Sequence, residues 1–362
     1  MRILIDLSMY NSTQTGVFNY AYRILKGFQE NKYPNIILLC NKYIAHEIKS
    51  EFKNYPCIIF DTSITSQNVI WKSFLWSKKI NSIPCDVVFI PQITLYNFFC
   101  NKPIVHTIHD LQALRTFSLK YRIIYYISFG ILIFQSKSII TISNYVKEQI
   151  KKLYPFINKS KLKTIYNCVQ IQVPITAPNY DNYLLYVSSI TKSKNLLTLI
   201  KAFNLIKNNI NENLIIIGKS IPPNYFPNYI QPYILKHKLS DRIIIITHGI
   251  TDEELSNYYQ NARLFIHPSL MEGFGYTPIE AAIHKIPVIT TKETCIYETT
   301  KGLLNYYSPS KDENALAQKI IELLQNYPNK DTLNRISDIL QKEYNYISQS
   351  EKVYQHITSL FK

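Results

Sequence analysis

Short runs of aliphatic residues that do not alternate with polar ones recur along this chain, and few folds accept them. Ile104–Ile108, Tyr183–Val187, Leu214–Ile217, Ile243–Ile246 and Leu264–His267 are too short for ordinary helices. A strand with one face in water alternates apolar and polar residues, whereas a strand covered on both faces does not. Further strands are expected at Arg2–Ile5, Asn35–Leu39, Cys57–Phe60, Asp86–Ile90, Ser138–Ile142 and Pro287–Thr290. Between them lie helical patterns at Val17–Gln29, Asn144–Leu153 (with Ser143 as N-cap), Asn195–Lys207 and Asp252–Gln260. Alternation of this kind builds parallel sheets with helices on both faces.

The pattern breaks once. Residues 171–181 (IQVPITAPNYD) carry two prolines and no helical period, which marks a linker. At 362 residues, with 46% hydrophobic and 18% charged, the chain suits two globular α/β domains, each doubly wound and facing a common cleft. Asp312–Leu324 and Asp331–Phe361 read as terminal helices.

Composition removes several function classes. The six cysteines show no paired spacing, which argues against a disulfide framework or zinc site and for a reducing cytosol. The opening MRILIDLSMY is strand-like and contains Asp6, unlike a signal peptide. The longest mostly apolar run, Ile123–Phe134, is shorter than the roughly 20 residues that span a bilayer. Net charge is +15, unevenly placed: residues 1–175 hold 21 Lys/Arg against 8 Asp/Glu, and the remainder 19 against 17. Such a field suits a polyanionic partner. No helix-turn-helix, RNP-like or zinc pattern accompanies it, so nucleic acid is not the expected partner.

Only eight glycines occur, and two stand together in RLFIHPSLMEGFGYTPIEAAIHKIPVITT, residues 263–291. This reads as strand, glycine loop, helix, strand, which places backbone N–H groups and a helix start at the carboxyl edge of a sheet, where phosphates bind. Glu272 and Glu280 flank the loop with seven residues between them. Phosphate binding does not need carboxylates, but a ligand that also carries hydroxyls does. Glu280, expected in the first turn of the helix, suits the vicinal hydroxyls of a ribose, and Glu272 an attached sugar. Lys194 follows the Tyr183–Val187 strand at a helix start, on the expected phosphate edge. In the first half, Asn11–Val17 forms a polar loop around Gly16, and His109-Asp110 ends a strand at its carboxyl side, while His106 lies inside that strand and reads as packed.

Taken together these segments resemble the family 4 glycosyltransferases of the GT-B architecture, over about residues 1–345. Glu272 to Glu280 resembles that family's E-x7-E signature, Ser188–Asn195 its basic segment, and Thr107–Leu111 its histidine-bearing strand end. The resemblance implies two Rossmann-like domains: an acceptor-side domain over 1–172, a nucleotide-sugar domain over 173–345, and a final helix over 346–362 packing back on the first. It implies a retaining transferase with His109 and Glu272 as catalytic residues. Gly16, Ser189, Lys194, Glu280 and the backbone around Phe274, Gly275, Tyr276 and Thr277 would hold the donor. It implies a nucleotide-diphosphate sugar as co-substrate, with no cofactor and no metal ion. Ser189 stands where the family often has an arginine, Phe18 where a loop glycine is common, and Lys285 and Cys168 replace further glycines.

The expected reaction is hexosyl transfer onto a growing cell-surface glycan on a lipid-linked acceptor. GDP-mannose is the first donor expected, because Lys194-Asn195-Leu196 resembles that segment in the family's mannosyltransferases; a UDP-hexose with a soluble acceptor is the alternative. A weakly active partner subunit is the third reading, against which Glu272, Glu280, Lys194 and His109 all stand. The enzyme is expected in the cytoplasm, peripheral at the inner face of the membrane. Lys120, Arg122, Lys137, Lys147, Lys151 and Lys152 would then meet anionic lipid. The competing reading of 120–137 is an ordinary buried helix.

Overall fold

Thirteen strands, all in parallel pairings, form two separate sheets in the computed structural model, which describes residues 1–13, 15–60, 69–93, 98–112, 114, 119–169 and 182–361. The first sheet contains β1 (Ile3–Leu7), β2 (Ile36–Cys40), β3 (Cys57–Ile59), β4 (Val87–Ile90), β5 (Ile104–Ile108), β6 (Ser138–Thr141) and β7 (Leu162–Thr164), in the order β3-β2-β1-β4-β5-β6-β7. The second contains β8 (Tyr183–Val187), β9 (Asn213–Ile217), β10 (Ile243–Ile246), β11 (Leu264–His267), β12 (Val288–Thr291) and β13 (Asn305–Tyr307), in the order β10-β9-β8-β11-β12-β13. Strands β1, β4, β5, β8 and β11 are buried along their whole length, which explains their unbroken apolar sequences.

In both sheets the strand order reverses at one place, between β1 and β4 and between β8 and β11. Loops leaving the carboxyl ends of two strands at such a reversal diverge to opposite faces and leave a crevice for a ligand. The segments that follow β8 and β11 are the two that carry Lys194 and Glu272.

One compact unit comprises residues 1–170 and 344–362, the other residues 171–343. The expected linker, 171–181, lies outside the described residues. The helical pattern over Asp331–Phe361 forms two helices, Lys330–Glu343 and Tyr346–Ser359. Asn345 makes the break: its side chain accepts from the amides of Ile347 and Ser348, capping the second helix. The Tyr344 carbonyl accepts from Val169 N at 2.8 Å, and the Tyr344 ring meets Tyr166 edge-on at 5.8 Å. The chain is thereby tied to the first unit before its last helix begins. That helix packs against helix Gly16–Glu30 at Gly27, where a Cβ would lie 2.6 Å from that of Ser350.

Other expectations shift locally. β2 starts at Ile36 because Asn35 takes a left-handed φ of 62°. Helix Asn144–Leu153 matches its expected limits, and Ser143 caps it through Val146 N. Helix Leu119–Gln135 corrects the buried-helix reading. Only Phe129, Leu132 and Ile133 are buried, while Leu119, Tyr121, Ile123, Ile124, Ile127 and Phe134 are exposed, Phe134 at 85%.

Candidate active site

The site in the second unit is built from the segments after β8 and β11. Past β8 the chain turns through Ser188 and Ser189. Gly218 lies so close that a Cβ there would stand 1.8 Å from the Ser188 carbonyl oxygen, so only glycine fits. A short turn, Lys192–Lys194, follows, then Asn195 in a left-handed conformation (φ 57°), then helix Leu196–Ile206. Asn195 fastens this turn across the sheet: its Nδ2 donates to the carbonyls of Pro268 (3.1 Å) and Ser310 (2.8 Å), and its Oδ1 accepts from Thr198. Leu270 N donates to Ser193 O at 2.8 Å. The β8 loop and the β11 loop are therefore one hydrogen-bonded assembly.

That assembly brings Lys194 and Glu272 together. Lys194 Nζ lies 2.5 Å from Glu272 Oε1, and both side chains are largely buried. His267, the last residue of β11, places Nε2 2.7 Å from the same oxygen. A carboxylate only accepts, so Nε2 carries the proton and Nδ1 accepts from the Thr277 hydroxyl at 3.2 Å. Both donors converge on Oε1; among the described residues Oε2 receives no hydrogen bond. Burial by itself would raise the Glu272 pKa, but Lys194 and His267 outweigh it and hold the carboxyl well below the usual carboxylate range. Burial lowers the pKa of His267 in turn, so the imidazole is neutral.

Helix Tyr276–Ile283 opens beside this cluster. Its N-cap, Gly275, has φ 86° and supplies no side-chain cap, and a Cβ there would press on Ile296 at 2.9 Å. No carboxylate occupies the first turn, so the positive helix end is not neutralised from within. The Phe274 ring is buried against Tyr276 at 5.2 Å, and its carbonyl accepts from the Thr299 hydroxyl at 2.7 Å. Glu280 stands in the second turn, a correction to its expected place, because the helix already begins at Tyr276. Its Oε2 lies 3.5 Å from the hydroxyl of buried Tyr259, and its carbonyl accepts from His284 Nδ1 at 2.8 Å. Ser189 is partly exposed at the start of the β8 loop.

Gly16 and His109 belong to the first unit. Gly16 opens helix Gly16–Glu30 behind the Thr15 cap, and a Cβ on it would meet nothing within 4 Å. The Phe18 ring is buried edge-on to Tyr10 at 5.4 Å. His109 follows β5 and is partly exposed. Its Nε2 donates to the Pro91 carbonyl at 2.9 Å, which leaves Nδ1 with the lone pair. Tyr20 meets the ring edge-on at 4.9 Å. Burial lowers the His109 pKa against the opposing effect of the Pro91 bond, so the ring is neutral. His106 is fully buried on Ser136 at 2.9 Å, as its place inside the strand implied.

His267 and Asn195 were not among the expected site residues. The one signal for His267 was its place at a strand's carboxyl end, five residues before Glu272. Asn195 gave a signal only through its position after Lys194. Among the described residues no three His, Cys, Asp or Glu side chains converge as a metal-binding group would.

Comparison with known proteins agrees with this architecture. The family model described as Glycosyltransferase Family 4 matches residues 15–173, and that described as Glycosyl transferases group 1 matches residues 170–340. The O-antigen chain mannosyltransferase RfbU of Salmonella typhimurium is 24% identical over 97% of this chain and 98% of its own length. The capsular polysaccharide biosynthesis glycosyltransferase CapM of Staphylococcus aureus is 29% identical over 42% of this chain and 40% of its own. Among solved structures, Anabaena Alr3699/HepE in complex with UDP and glucose superposes with a TM-score of 0.78 at 15% identity, covering 99% of this chain and 100% of that one. A glycosyltransferase from Rickettsia africae gives 0.74 at 20% identity, covering 100% and 98%. The two matched models together span residues 15–340, which hold every strand but β1 and every candidate site residue, and the chain belongs to family 4 of the glycosyltransferases, with two Rossmann-like domains of the GT-B fold.

Proposed function

We propose that this glycosyltransferase moves mannose from GDP-mannose to a growing, lipid-linked cell-surface polysaccharide, with retention of anomeric configuration and without a metal ion. The carrying observation is the Lys194–Glu272–His267 cluster beside the uncapped start of helix Tyr276–Ile283. In this reading Lys194 and the amides near Phe274, Gly275, Tyr276 and Thr277 stabilise charge that grows on the diphosphate as the sugar leaves. Preorganised dipoles and cations of this kind act most strongly in a water-poor site. Glu272 Oε2 accepts from a sugar hydroxyl, and Glu280 accepts from the ribose. Ser189 supplies no charge, so helix and amides offset more of the diphosphate than an arginine there would leave to them. Gly16 contributes its backbone, and His109 takes the role that the family resemblance gives it, contact with the transferred sugar.

Mannose is supported by the mannosyltransferase RfbU, which aligns along nearly its whole length. The UDP in the HepE complex is what favours a UDP-hexose as the second reading. Thermal unfolding with GDP, UDP or dTDP separates them, since a ligand that binds the native state raises the midpoint. A shift with GDP alone is expected, and a shift with UDP alone transfers the assignment to the second donor. In transfer assays Glu272→Ala and His109→Ala should remove activity while far-UV dichroism stays unchanged, and Lys194→Ala should raise the donor KM. Wild-type turnover in all three would sink the site.

A lipid-linked acceptor places the enzyme at the cytoplasmic face of a membrane. Among the described residues no helix is long and apolar enough to cross a membrane. The support is helix Leu119–Gln135, whose exposed apolar side chains stand among Lys120, Arg122 and Lys137. The Tyr126 hydroxyl donates to the Leu153 carbonyl and the Tyr154 hydroxyl to the Tyr126 carbonyl, joining it to the helix end bearing Lys151 and Lys152. Such a face lies in an anionic interface through apolar burial and basic contacts together. Sedimentation with phosphatidylglycerol vesicles should carry the protein down at low salt, and Ile127→Glu with Phe134→Glu should release it. Equal binding to neutral vesicles, or none to either, would remove the membrane partner.

A further inference from the structure

Cys40 and Cys57 stand on neighbouring strands β2 and β3, which pair so that Leu38 faces Cys57 and Cys40 faces Ile59. Their sulfurs are 3.2 Å apart, while neither is in a disulfide. The two side chains are not alike. Cys40 is fully buried at the end of β2, whereas Cys57 is partly exposed at the start of β3. The neighbouring Cys40 thiol holds the Cys57 pKa below its ordinary value, burial opposes this, and Lys49 adds to the lowering. Contact with Cys57, then burial, pushes Cys40 in the opposite direction. One sulfur is therefore the accessible nucleophile and the other a shielded thiol already within reach of it.

We propose that Cys57 and Cys40 form an oxidisable dithiol that closes to an intramolecular disulfide on exposure to a hydroperoxide, independently of the transfer reaction. The Cys57 thiolate attacks the terminal peroxide oxygen and the O–O bond breaks, giving Cys57 sulfenic acid and a hydroxide or alkoxide that takes up a proton. The Cys40 sulfur then attacks the Cys57 sulfur; the S–S bond forms and water leaves with the Cys40 proton. Both thiols are oxidised and the hydroperoxide is reduced to water or alcohol. The position also has a structural neighbour of interest: Asn41, next to Cys40, donates to Ser8 O and to Asn11 Oδ1, holding the loop that leads to Gly16.

The experiment is hydrogen peroxide treatment of the full chain, followed by thiol counting in denaturant and peptide mass mapping with and without reductant. The expected result is loss of two thiols per chain, one peptide pair joining Cys40 to Cys57, and full reversal by dithiothreitol. Cys40→Ser should block the crosslink and leave Cys57 sulfenic acid that dimedone traps, whereas Cys57→Ser should leave Cys40 unreacted. Retention of both thiols while an exposed control thiol is oxidised would overturn the proposal. So would a crosslink to any other cysteine, or dimedone capture at Cys40 in place of Cys57. Donor binding by thermal shift, read on the untreated protein, keeps this outcome separate from that of the proposed transfer activity.

Discussion

Glu272 is a buried carboxylate whose two donors, Lys194 and His267, both approach the same oxygen. Removing either leaves a different deficit. Without Lys194 the carboxylate loses its compensating charge; without His267 it keeps the charge but loses orientation. A hydrogen bond to a charged group contributes about 1.5–3 kcal/mol, a factor of roughly 10 to 100 if it is needed to hold the reactive geometry. His267→Ala is therefore expected to lower kcat/KM by about one to two orders of magnitude, acting mainly through kcat, and steady-state kinetics with saturating donor checks it. An unchanged kcat would mean that Lys194 alone positions Glu272. This residue shows what pattern reading misses. In sequence His267 is one more member of an apolar strand, and its role depends on the fold of the loop that follows.

The loop after β8 owes its shape to Asn195 more than to Lys194. Asn195 sits at φ 57°, a conformation that costs most side chains about 1–2 kcal/mol, and its amide bonds two carbonyls from distant segments. Asn195→Ala should destabilise the second unit by about 2–4 kcal/mol, from lost bonds and strain together. Asn195→Gly relieves the strain but not the loss of the bonds, so chemical denaturation should rank wild type above glycine above alanine. Equal midpoints for all three would contradict this account. Lys285 shows the same backbone demand at a helix end: its φ of 65° explains why glycine is the usual residue there, and its exposed side chain explains why lysine is tolerated. Element limits were legible where caps and apolar runs coincide, as at Ser143 and over β5, β8 and β10. Periodicity alone did not mark Tyr344–Asn345, where the helical period runs on across a break that the Asn345 cap makes and the contacts of Tyr344 with Val169 and Tyr166 hold.

Across the whole molecule, five buried or partly buried histidines are held neutral. Burial lowers the pKa of His106 from 6.5 to about 3, and lowers those of His109, His267, His284 and His356 as well. In the unfolded chain each would take up a proton near 6.5, so the unfolded state binds more protons below that pH. The sign follows: stability is fully present above about 6.5 and is lost as pH falls from there toward the folded values, by up to about 1.4 kcal/mol per unit for each histidine. Glu272 reinforces the trend only at much lower pH, because its folded pKa is depressed. Guanidinium unfolding at pH 7.5 and 5.5 should give the lower midpoint at 5.5, and His106→Asn should narrow the gap. A midpoint independent of pH would show that these rings titrate alike in both states.

The alternation of strand and helix, the glycine loop and the E-x7-E spacing were determined by the sequence itself, because burial on two faces, backbone freedom and helix starts leave local marks in residue order. The family could be read from them for the same reason. Tertiary structure alone decided that Lys194 meets Glu272 across 78 residues, that His267 orients it, that the helix after Leu119 turns its apolar side outward, and that Cys40 touches Cys57. Each of these depends on which strands lie side by side. Sheet order is set by packing between segments far apart in the chain, and no local pattern records it.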